Sequence, residues 1–148
     1  MSREIKFRAW LKEEKKMVNI ETIDFTDKSM QYLEKNEIFG AYLLRRMIFK
    51  DIELMQYTGI KDKNGVEIYE GDIIICKYGP EIMMEVKWVD EGFRTLGKYN
   101  GDNYVGYVKN SAEVIGNIYE NEELLKSEEK NDWDIIWRCT WKNKIIKR

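Results

Sequence analysis

Histidine is absent from this 148-residue chain. The gap removes the commonest general base and the commonest transition-metal ligand, so Ser-His and Cys-His nucleophiles and histidine-rich zinc sites are excluded. Cysteine is scarce as well: Cys76 and Cys139 stand far apart and form no CxxC pair. They read as free thiols in a reducing cytosol, not as a disulfide framework. A single proline, Pro80, is too few for a proline-rich disordered chain. The longest apolar runs, such as Ile73-Ile74-Ile75-Cys76, fall far short of a bilayer span. The charged, alternating opening MSREIKFRAW has no apolar segment of the kind an export signal needs. Neither a GxGxxG nor a Gly-Lys-Ser/Thr phosphate loop occurs, which argues against a P-loop nucleotide hydrolase. No cofactor is implied.

What is present fits one domain with an appendage, long enough to bury a core without staples. Net charge is −2 overall, but it is distributed unevenly. Residues 1–50 hold 11 Lys/Arg against 8 Asp/Glu, residues 51–125 hold 7 against 15, and residues 126–148 hold 7 against 4. The strongly acidic middle repels a phosphate backbone on average, so nucleic-acid contact is expected from the basic ends.

Along the chain, turn chemistry alternates with short apolar runs. Glu4–Trp10 alternates as a half-buried strand, with Ile5, Phe7 and Ala9 on one face and Lys6 and Arg8 on the other. A charged turn leads to Met17–Ile20, and Ile23–Phe25 and Met30–Leu33 flank a hairpin-like Thr26–Ser29. Residues 34–50 stay ambiguous: Ile38, Tyr42, Leu43 and Met47 fit a helical stripe, yet Met47-Ile48-Phe49 could open a strand. Asp51–Thr58 reads as a strand ending at Gly59. Four of the ten glycines fall between Leu54 and Gly79, including Asn64-Gly65, the strongest two-residue hairpin signal. Further strands are expected at Ile73–Tyr78, Ile82–Val89, Phe93–Leu96, Tyr104–Val108 and Val114–Tyr119, before a helix-prone Glu120–Lys130. Such spacing points to a sandwich or a small barrel.

Three blocks in order resemble the YopX family of phage and prophage proteins. They are Arg3-Glu-Ile-Lys-Phe-Arg-Ala-Trp10, the stretch Leu54-Met-Gln-Tyr-Thr-Gly59 through Ile68-Tyr-Glu-Gly-Asp72, and Val114-Ile-Gly-Asn-Ile-Tyr-Glu-Asn121. The resemblance spans residues 1–125 and implies a mainly β, α+β fold. An SH3-like barrel is expected at 51–119, with the N-terminal strands packed against it. It implies no catalytic or ligand residues, and 126–148 extends beyond where such proteins usually stop.

Other constellations have plain structural readings beside functional ones. Asp62, Glu67, Glu70 and Asp72 are either solvated turn carboxylates or a hard-cation site, but they lack the spacing of a calcium loop. Tyr99, Tyr104 and Tyr107 near Lys98 and Lys109 are either half-buried barrel residues or a nucleic-acid patch. In the tail, Trp133, Trp137 and Trp141 recur every fourth residue and also alternate along a strand pattern. Three exposed tryptophans need a cover, supplied by the barrel, a partner, a membrane or a nucleic acid. Trp133, Trp137, Arg138, Trp141 and Lys142 are the candidate partner-binding residues, being of types that dominate interfaces. The expectation is a non-enzymatic accessory protein of the bacterial cytoplasm. It would bind a host or phage protein or its own copy, with nucleic-acid binding through the basic termini as the alternative and no membrane contact.

Overall fold

A computed structural model describes residues 4–76, 82–99 and 102–126. Twelve antiparallel strands make up nearly all regular structure among them: β1 Phe7–Leu11, β2 Lys16–Asn19, β3 Thr22–Asp24, β4 Ser29–Lys35, β5 Tyr42–Ile48, β6 Ile52–Lys61, β7 Glu67–Tyr69, β8 Asp72–Cys76, β9 Met83–Val89, β10 Gly92–Tyr99, β11 Asp102–Tyr107 and β12 Ala112–Asn117. One 3₁₀ turn, Phe49–Asp51, and one helical turn, α1 Glu123–Lys126, complete the list. They form a four-stranded sheet (β2-β1-β6-β7), a five-stranded sheet (β11-β10-β9-β8-β12) and a three-stranded sheet (β3-β4-β5). The protein is thus mainly β, as expected, with a sheet curled into a half-barrel. Among the described residues no helix is long and apolar enough to cross a membrane.

The turn chemistry explains the path. β6 and β7 are joined by residues 62–66, a longer loop than the two-residue hairpin expected, and within it Gly65 but not Asn64 takes a positive φ, +84. Asp24 Oδ1 accepts from the N–H groups of Thr26 and Asp27, closing the β3–β4 hairpin. Gly59 was read as a strand end, but β6 runs through it at φ +85 and the pairing with β7 shifts register there. A bulge that uses the left-handed freedom of glycine lets the strand continue. The ambiguous stretch resolves as strand: a turn at 37–39 feeds β5, which pairs with β4 along its whole length.

Three apolar clusters hold the sheets. Ala9, Leu11, Val18, Met30, Tyr32 and Ile52 join the four- and three-stranded sheets. Ile74, Met84, Val86, Val108 and Ala112 fill the five-stranded sheet's inner face together with Ile68 of β7. Met55, Tyr57 and Tyr69 pack beside Met17 and Tyr119 on the second face of the four-stranded sheet. β6, the first strand of the expected barrel segment, is therefore also the neighbour of β1.

Candidate interaction site

β1 carries the first set of functional-looking side chains. Arg8 and Trp10 are turned away from solvent and Lys6, just before the strand, is partly covered; β6, β7 and β8 bring tyrosines and carboxylates against them. Lys6 Nζ donates to Glu67 Oε1 at 2.6 Å, and the Tyr69 hydroxyl donates to Glu67 Oε2 at 2.8 Å. Arg8 pairs with the buried Asp72, whose Oδ2 also accepts from the Tyr69 N–H at 2.7 Å. The Arg8 guanidinium lies over the Tyr69 ring, 4.6 Å from its centroid. Trp10 stacks on Tyr119 with centroids 5.7 Å apart. The sequence blocks 3–10, 54–72 and 114–121 thus meet on one face.

An open cleft of about 520 Å³ adjoins this network, with Ile20, Ile23 and Phe25 on its apolar side and Lys6, Glu67 and Tyr69 on its polar side. The polar groups are mutually committed. Hydrogen bonds from Lys6 and then Tyr69 hold the Glu67 carboxyl below its ordinary range, which makes it a weak base. Burial first, and the Glu67 hydrogen bond second, push the Tyr69 phenol up to about 12. This cluster is built to hold strands together, not to pass protons at neutral pH. Because the unfolded phenol ionises near pH ~10, stability should be intact below that value and erode as pH rises toward 12. Tyr69→Phe should flatten that part of an alkaline unfolding curve; an unchanged curve would mean the hydroxyl is not held.

The turn carboxylates each have a structural task. Asp62 accepts through Oδ1 from the N–H groups of Asn64 (2.7 Å) and Val66 (2.9 Å) and through Oδ2 from Val114 of β12 (3.1 Å). Burial works against its charge, yet the Val114, Val66 and Asn64 donors outweigh it and lower the carboxyl's pKa. Glu70 accepts from the Trp88 N–H. Among the described residues no group of three or more acids or cysteines could hold a metal ion.

Two surfaces remain open. β5 is the edge of its sheet, and six of its seven residues are exposed. Tyr42 is 65% accessible and Leu44 58%, with Leu44 directly opposite Leu33 of β4. The second surface is the solvent face of β9–β10–β11, with Lys87, Arg94, Lys98, Val105 and Tyr107. Of the expected tyrosine patch, Tyr107 projects from this face beside Arg94, whereas Tyr104 lies on the opposite face, against Thr95 and Gly106. The side chain of Tyr99 lies outside the described residues. So do Trp133, Trp137, Arg138, Trp141 and Lys142.

Sequence reasoning missed the ion pairs of β1 and the β5 edge. Alternating Lys6 and Arg8 hinted at a charged face, but only the β1-β6-β7 order and the return of β8 beside it show which acids meet it.

Comparison with known proteins agrees with this architecture. The family model described as "YopX protein" matches residues 6–126. The crystal structure of protein EF1440 from Enterococcus faecalis is similar, with a TM-score of 0.55 and 28% identity over 84% of this chain and 99% of that one. No curated protein matches the chain.

Proposed function

The chain belongs to the YopX family, and from that premise we propose a non-enzymatic accessory protein of phage or prophage origin. In this reading it acts in the bacterial cytoplasm through protein contacts and self-associates through β5. The observation that carries the reading is the long, apolar, exposed edge strand YLLRRMI. Natural sheets usually blunt such edges, because unpaired N–H and C=O groups template another strand. The two arginines of β5 do not blunt it, since Arg45 pairs with Glu34 at 3.5 Å and Arg46 with Asp27 at 2.7 Å within the chain.

A second copy fits this edge in one favourable register. Antiparallel pairing about a two-fold axis through Leu44 places Leu44 opposite Leu44, Tyr42 opposite Arg46, and Leu43 opposite Arg45. No arginine faces another. The Leu33–Leu44 pair within each copy becomes a continuous row of four leucines, the kind of cross-strand contact that stabilises sheets. Shifting the axis to Arg45 would set arginine against arginine, which is unfavourable.

The expected result is a dimer by light scattering for the natural chain. Leu44→Lys sets two ammonium groups opposite each other and should give a folded monomer with an unchanged far-ultraviolet spectrum. In this register a cysteine at position 44 lies ~5 Å from its counterpart, within disulfide range, so Leu44→Cys should cross-link and Leu43→Cys should not. A natural chain that is monomeric at every concentration would overturn the reading.

A further inference from the structure

We propose that the solvent face of β9–β10–β11 binds single-stranded nucleic acid. The residues come together through register. Lys87, Arg94 and Tyr107 form one row across the three strands, and Lys98 stands four residues further along β10, opposite Asn103. Among the strand residues of this face Glu85 is the one carboxylate, half-buried on the β8 side. The segment 51–125 is strongly acidic as a whole, yet three of its seven cations are gathered here. Lys6, Arg8, Lys12, Lys16, Arg45 and Arg46 each have a carboxylate partner elsewhere. Among the described residues no carboxylate forms an ion pair with Lys87, Arg94 or Lys98, as is also true of Lys28, Lys35 and Lys50.

The aromatic component is what selects the ligand class. Tyr107 is 68% exposed, and the Arg94 guanidinium lies over its ring at 4.8 Å. Arg94 Nη1 donates to the Phe93 carbonyl at 3.1 Å, which fixes the guanidinium plane. The exposed phenol with the guanidinium over one side of its ring offers a stacking platform for an unpaired base, while the flanking ammonium groups meet the phosphates. A duplex hides its base planes, and an acidic protein surface would use the cations but leave the ring idle.

The test uses the full chain and fluorescence anisotropy with labelled oligo(dT) and a labelled hairpin duplex, across a range of salt. The natural chain should bind oligo(dT) more tightly than the duplex. Its affinity should fall with salt by about 0.7 logarithmic units per logarithm of salt for each cation engaged. Tyr107→Ala should weaken oligo(dT) binding about 5- to 150-fold, and Arg94→Gln with Lys98→Gln should lower the salt slope by roughly 1.4. Tyr107 and Lys98 are exposed and Arg94 is half-buried, so folding of each variant is checked by circular dichroism. Absence of binding overturns the proposal, as does a stronger preference for the duplex. Binding untouched by these variants but lost on substituting Trp137, Arg138 and Lys142 overturns it too and moves the site to the tail. Leu44→Lys should leave the affinity of each chain for oligo(dT) unchanged, which separates this face from the β5 edge.

Discussion

Asp72→Ala is expected to destabilise the protein by about 3–5 kcal/mol, because it strands the Arg8 charge in a largely buried position. Asp72 is 1% accessible and sits at the first position of β8, where it also accepts the Tyr69 N–H at 2.7 Å. Burial raises its carboxyl pKa against the opposing pull of Arg8 and that N–H, so the desolvation of the charge is a real expense. The pair as a whole therefore contributes little net stability, while the loss of one member is severe. With a domain stability of about 5–15 kcal/mol, such a loss brings the single variant close to unfolding. The double variant Arg8→Met with Asp72→Leu should recover part of the deficit, since apolar replacement of both partners removes the unpaired charge while the Tyr69 N–H still lacks its acceptor. Urea midpoints of the two variants decide the matter. A single variant that loses less than about 1 kcal/mol would mean that the pair behaves like an exposed one.

That ion pair also marks the limit of what the sequence reveals. Most strand positions, a turn at Asn64-Gly65 and the mainly β class were legible, because turn residues and alternation are local signals. Arg8 and Asp72 are 64 positions apart, and nothing local says that β7 and β8 return to β1. Alternation in β1 suggested one solvated face, yet Trp10 is buried on that face by Tyr119 from beyond β12. A strand covered on both sides loses its period-two signal. In residues 34–50 the apolar spacing fits a helix and a strand equally. The structure favours strand because Met30 and Tyr32 of β4 offer a core-facing neighbour for Met47. The exposed interaction surfaces were the least legible part. An edge strand has the composition of an interior strand, and only topology shows that one side of β5 is unpaired.

Asp62→Ala should be nearly as damaging as Asp72→Ala, and for a different reason. Here no cation is left behind; three backbone donors are. Two belong to the turn itself, Asn64 and Val66, and the third is Val114 of β12. The side chain therefore does locally what a turn residue does and, in addition, fastens the β6–β7 loop to the far edge of the five-stranded sheet. Hydrogen bonds to a charged acceptor contribute about 1.5–3 kcal/mol each when their donors cannot find water, but the exposed turn at Asn64 and Val66 can recover solvent. A loss of about 2–4 kcal/mol follows. Asp62→Asn separates the two tasks. Its amide oxygen can keep both turn N–H groups, but its NH₂ then opposes the Val114 N–H, so an intermediate loss is expected. The pH dependence carries an independent sign. A folded carboxyl held below the unfolded value of about 3.9 contributes stability above that pH and loses it as pH falls through the folded pKa. The natural chain should therefore lose part of its stability on acidification below pH ~4, and Asp62→Asn should lose less over the same interval. Equal acid sensitivity of the two chains would show that Asp62 holds its turn without holding its charge.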